Sequence, residues 1–99
     1  MVVGVVCFDL LLGDVRSLKQ KRSVVRPLVS ELGRRFSVAV AETGHLDLHR
    51  RAEVSAAVVA SEHAHVRSVL ETCERWVAGR PEVELLSART RVLDDEDLA

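Results

Sequence analysis

The run from Val2 to Leu12 constrains the fold more than any other stretch of this chain. It is apolar except for Gly4 and Asp9, and it stops at Gly13-Asp14. A continuous apolar run of this length, bounded by turn residues, reads as a strand buried on both faces, and only the interior of a sheet offers such a place. The rest of the chain must therefore supply strands on both sides of it and a layer to cover it.

That layer begins at Ser17. Ser17 and Gln20 form a capping box, each side chain satisfying a backbone donor left orphaned at a helix start. Leu18, Val25, Leu28, Val29 and Leu32 follow at helical spacing and make the core stripe of helix one. Pro27 falls inside it, removing one backbone hydrogen bond and bending the helix rather than ending it. Gly33 is the expected stop. Phe36 to Thr43 alternates Val38, Val40 and Glu42 with Ser37, Ala39, Ala41 and Thr43, a half-buried strand with small residues on its second face. A polar connector, Gly44 to Arg51, leads to a third strand, Ala52 to Ala60. Ser61 is the expected cap of helix two, whose stripe is Val66, Val69, Leu70, Cys73, Trp76 and Val77. Gly79 and Pro81 mark its end. Val83 to Leu93 is the last strand, so residues 1–93 form one domain and residues 94–99 an acidic, solvated tail.

The order βαββαβ is that of the ferredoxin-like sandwich, an α+β fold with a four-stranded antiparallel sheet and two helices on one face. This topology places the first and third strands in the centre, and they are the two most apolar strands here. It also leaves one sheet face open, with Ala39, Ala41, Ser55, Ala57 and Val59 on it. A face so apolar and small-residued is expected to be covered by a second copy in a homodimer or higher homo-oligomer, or by another protein. A monomer with a modestly apolar face is the alternative.

The net charge of -1 excludes a wholesale basic nucleic-acid binder, so any charge argument is local. Residues 14–35 hold seven basic groups against Asp14 and Glu31, a surplus of five, while the remainder carries six more acidic than basic groups. The surplus sits at the start of helix one, where the helix dipole favours anionic side chains instead. Arg16, Lys19, Lys21, Arg22 and Arg26 are the candidate anion-binding residues, with phosphate of RNA as the ligand class, and Arg50 and Arg51 extend that surface. The competing reading is a solvated basic face in which Lys21 pairs with a carboxylate such as Asp9 or Glu53, and Arg50 and Arg51 pair with Glu42 or Glu53. Asp9, a carboxylate in an apolar strand, needs a partner of its own and reads as half of a structural ion pair.

Other chemistry is thinly supported. Cys7 and Cys73 lack ligand-like spacing and read as small core residues. His45, Asp47 and His49 alternate in the connector and His63 and His65 open helix two, but no cysteine joins them, so no metal or other cofactor is expected. The N-terminal run lacks a basic segment before it and is too short to span a bilayer, so no membrane partner is expected and the expected location is the reducing cytoplasm. Base stacking of the kind RNA-recognition motifs use is unsupported, because Phe8, Phe36 and Trp76 are the only aromatics. An acylphosphatase needs a glycine-rich phosphate cradle and an asparagine; the chain has no Asn, and Gly13-Asp14-Val15-Arg16 is no such cradle. The enzyme reading is therefore the weakest.

Four segments carry a resemblance: Ser17-Leu18-Lys19-Gln20-Lys21-Arg22, Phe36-Ser37-Val38-Ala39-Val40-Ala41-Glu42, Asp47-Leu48-His49-Arg50-Arg51-Ala52-Glu53 and Pro81-Glu82-Val83-Glu84-Leu85-Leu86. In order and spacing the chain resembles the YlxP-like family of small bacterial proteins of unknown function. The resemblance implies a ferredoxin-like fold and a gene neighbourhood among translation factors, with no established activity or catalytic residues. The expectation is a non-enzymatic, translation- or ribosome-associated accessory protein that binds RNA or another phosphate-bearing partner through the basic start of helix one. A protein acting by self-association or protein binding through the open sheet face is the alternative.

Overall fold

The computed structural model describes residues 1–99 and has the expected order: β1 (Val2–Leu12), α1 (Leu18–Phe36), β2 (Ala39–Gly44), β3 (Arg51–Ala60), α2 (His63–Ala78) and β4 (Val83–Asp94), followed by a short α3 (Asp95–Leu98). The strands form one antiparallel sheet in the order β2-β3-β1-β4, so the two most apolar strands are central. Both long helices cover one face. Val6, Phe8, Leu10 and Leu12 of β1 and Ala52, Val54 and Ala56 of β3 meet Val25, Leu28 and Leu32 of α1 and Val66, Leu70, Cys73 and Val77 of α2 in a single core. Burial in β1 alternates strictly along the strand, with Val3, Val5, Cys7, Asp9 and Leu11 only half-buried. The strand expected to be buried on both faces is thus sealed on the helix side alone, because no second layer covers the other.

Glycine decides how closely α2 approaches the sheet. A Cβ at Gly4 would collide with Val66 and Leu70, so the helix rests directly on the β1 backbone there. Gly33, in contrast, does not stop α1. The helix runs on to Phe36 and ends at Ser37, which adopts a left-handed conformation (φ 53°) and donates its N–H to the Gly33 carbonyl. A Cβ at Gly33 would lie 3.3 Å from the Val38 carbonyl, so the glycine clears the chain as it doubles back into β2. The extra turn brings Phe36 edge-on to Trp76, at 6.1 Å between ring centroids.

Helix α2 begins one residue later than Ser61 would dictate. Glu62 is the N-cap and makes no side-chain cap bond, while the Glu62 carbonyl accepts the first helical bond from the Val66 N–H at 3.2 Å. The acidic C-terminal segment winds into an exposed helical turn. Asp94 accepts from the N–H groups of Glu96 and Asp97, Asp97 accepts in return from the Asp94 N–H, and the Met1 ammonium lies 3.0 Å from Asp95. These bonds hold the Asp94 carboxyl below its ordinary pKa. No helix is long and apolar enough to cross a membrane.

Candidate functional site

The start of α1 is built as its sequence dictates. Ser17 Oγ accepts from the Gln20 N–H at 3.1 Å, and Gln20 Oε1 accepts from the Arg16 N–H at 2.6 Å, one residue before the cap. These bonds occupy donors that a bound anion would otherwise use, so side-chain cations must supply most of any attraction at this end.

Of the seven candidate cations, three are tied into the fold, three stay free on the surface, and Arg16 is paired with Asp14. Lys21 is buried, 2% exposed, among the apolar stripe of α1. Its Nζ donates to the His45 carbonyl at 2.7 Å and lies 2.9 Å from Glu42 Oε2, so its partner is neither Asp9 nor Glu53. It staples α1 to the end of β2 and to the connector, where His45 takes a left-handed conformation (φ 55°). Arg50 donates from Nε to the Leu12 and Gly13 carbonyls at 3.2 and 2.8 Å, tying the connector to the end of β1. Arg51 binds Asp9 at 2.5 Å across the sheet, not Glu42 or Glu53. Its guanidinium holds the Asp9 carboxyl below its ordinary range, with His45 Nε2 at 3.6 Å adding to the effect. These three cations are structural ties.

Lys19, Arg22 and Arg26 remain on the surface, and Arg34, two turns nearer the C-terminus, is exposed as well but turned about a quarter of the way round the helix from them. No carboxylate lies within 4 Å of any of the four, since the ion pairs of this region are Arg16–Asp14 at 3.2 Å, both fully solvated, and Arg35–Glu31 at 3.3 Å. Lys19, Arg22, Ser23, Arg26 and Pro27 line a shallow concavity of about 580 Å³ with no hydrophobic side chain in it apart from the proline ring. Pro27 has no N–H, so the Ser23 carbonyl lacks its helical donor there. From Lys19 to Arg34 these four cations span ~22 Å along the helix axis.

The open sheet face holds a second arrangement. Cys7 belongs to this face and not to the core, unlike Cys73, whose thiol burial pushes upward in pKa. Cys7 Sγ donates to Glu53 Oε1 at 2.9 Å and accepts from Arg89 at 3.1 Å. Thr43, on this face by alternation with Ala39 and Ala41, donates to the same Glu53 oxygen at 3.0 Å and shares a 2.7 Å bond with Ser55. These thiol and hydroxyl bonds hold Glu53 ionised below its ordinary pKa. Strand alternation in residues 83–93 and 51–55 was the available signal for Arg89 and Glu53; it becomes a site only through pairing with β1.

The histidines scatter. His45 turns toward Asp9 and His63 toward Asp94, and no group of three or more His, Cys, Asp or Glu side chains converges on a point where an ion could sit.

Comparison with known proteins agrees with the fold and with the resemblance carried by the four sequence segments. The chain is 26% identical over 89 residues to the uncharacterized protein YlxP of Bacillus subtilis (strain 168), covering 90% of this chain and 97% of that one. Among solved structures it is similar to the de novo designed protein Foldit4, with a TM-score of 0.57, 13% identity, and 96% and 99% of the two chains covered. It is also similar to a de novo designed protein with ferredoxin fold, LFR1 1, with a TM-score of 0.51, 13% identity, and 96% and 87% covered. Both likenesses establish the ferredoxin-like fold alone. Residues 3–90 match the family described as protein of unknown function (DUF503), and the chain belongs to that family.

Proposed function

We propose that this protein binds RNA through phosphate contacts on the exposed basic face of α1, as a non-enzymatic accessory of translation in the cytoplasm. The observation that carries the reading is the cluster of Lys19, Arg22 and Arg26 around one concavity, with Arg34 exposed farther along the same helix, four cations with no carboxylate partner on a chain of net charge -1. Unpaired, solvated cations on one helix attract a polyanion at little desolvation cost, and they recognise the backbone rather than the bases. The aromatic side chains support the same division of labour. Phe8 is in the core and Phe36 and Trp76 pack on each other between the helices, so none presents a stacking platform. The link to translation rests on the family resemblance.

Binding of a short single-stranded RNA and of ribosomal subunits across a salt series tests the proposal. Engagement of four single-strand phosphates predicts a log–log salt slope of about -3. The variant Lys19→Glu, Arg22→Glu, Arg26→Glu is expected to lose binding with its circular dichroism unchanged. Lys21 is left intact, because reversing it would attack the fold instead. Absence of binding at low salt, or equal binding by the variant, refutes the proposal.

A further inference from the structure

We infer that the open face of the sheet is an interface between two copies of this chain, stacked face to face about a two-fold axis parallel to the strands. The pairing register lays out this face in rows across β2, β3, β1 and β4: Ala39, Ala57, Val5, Arg91, and then Ala41, Ser55, Cys7, Arg89. The β2–β3 half is a shallow apolar groove of about 280 Å³ floored by alanines, and the β4 half is a ridge of long side chains. The two halves are complementary in shape. Beyond the first row lie Val59, Val3 and Leu93, with Val59 63% exposed; beyond the second lie Glu53, Asp9 and Ser87. One end of the face is therefore apolar and the other charged.

This layout selects the axis. A two-fold across the strands would set β4 on β4, bringing Arg89 and Arg91 against their own copies, and would lay the apolar end on the charged end. A two-fold along the strands sets β4 of one copy over β2 of its partner and apolar row on apolar row. Arg91 then crosses the methyl group of Ala39, and Arg89 crosses Ala41 toward the carboxylate of the partner's Glu53. Arg91 has no ion-pair partner within its own chain, and Arg89 has guanidinium N–H groups left after its bond to Cys7. Four strands of this length present ~600 Å² of flat surface per copy, which places the pair at the small end of stable interfaces. A nucleic acid is a poor occupant, since the face has no aromatic side chain for bases to stack on and Asp9 and Glu53 repel phosphate. Stacking would also enclose Cys7, the thiol that opens onto this face.

Sedimentation velocity across a concentration series is the test. The wild type is expected to dimerise with a dissociation constant on the order of 10 µM or tighter. Ala39→Arg on the exposed edge strand fills the groove and faces the Arg91 of the other copy, so it should give a folded monomer; adding Arg91→Glu to it should restore the dimer. In parallel, alkylation of Cys7 in the wild type should slow as protein concentration rises through the dimer range, a readout that needs no variant. A wild type that stays monomeric, a dimer that survives Ala39→Arg, a charge swap that does not restore it, or a Cys7 rate independent of concentration would each overturn the inference.

Discussion

Lys21 shows how one residue's neighbours decide its role. Within a cluster of four cations over seven positions it looks like surface charge, yet on the helical wheel it falls in the apolar stripe, and burial leaves it only Glu42 and the His45 carbonyl. Lys21 is buried but the Glu42 side chain is 24% exposed, so removing Lys21 leaves Glu42 unpaired and only partly hydrated. Lys21→Ala is therefore expected to lower unfolding free energy by about 2 kcal/mol in urea titration, whereas Lys21→Met with Glu42→Leu recovers most of the loss. Asp9 makes a pH-dependent counterpart. Arg51 lowers its pKa below the ordinary 3.8, so the pair contributes fully above that value and its contribution disappears as pH falls through the lower folded-state value. The stability gap between wild type and Asp9→Asn should accordingly be widest at neutral pH and close as pH falls below 3.8 through the lowered folded-state value, as followed by urea midpoints.

At the scale of elements, local signals and tertiary contacts divide the helix ends between them. The α1 start obeys its capping box, and Ser17→Ala should cost about 1 kcal/mol in the same titration. Its end does not obey Gly33, because a helix tolerates glycine when the following residues gain packing, and Arg34, Arg35 and Phe36 extend it to reach Trp76. Gly4 works in the opposite direction, admitting α2 to the sheet backbone. Gly4→Val should destabilise by about 1–3 kcal/mol through overpacking against Val66 and Leu70, with β1 otherwise favoured by the β-branched residue.

For the molecule as a whole, element order, the central position of β1 and β3, the apolar stripes and the small-residue face were all legible in the sequence, because each follows from periodicity and from the short reach of helix and strand geometry. The unpaired strip on α1 was partly legible for the same reason: Lys19, Arg22 and Arg26 share one side of a helix whatever it packs on. Which cations stay free was decided only by the tertiary structure. The Asp9–Arg51 and Lys21–Glu42 pairs and the Cys7–Glu53–Arg89 contacts join residues 21 to 82 positions apart in the chain, and their partners depend on cross-strand register. Register in turn depends on shifts between Asp9 and Leu10 and between Glu42 and Gly44. A one-residue slip of a strand would send all of its side chains to the opposite face and break the pairs they make, so charge counted along the chain determines how many cations there are, and pairing across the sheet determines which of them can meet a ligand.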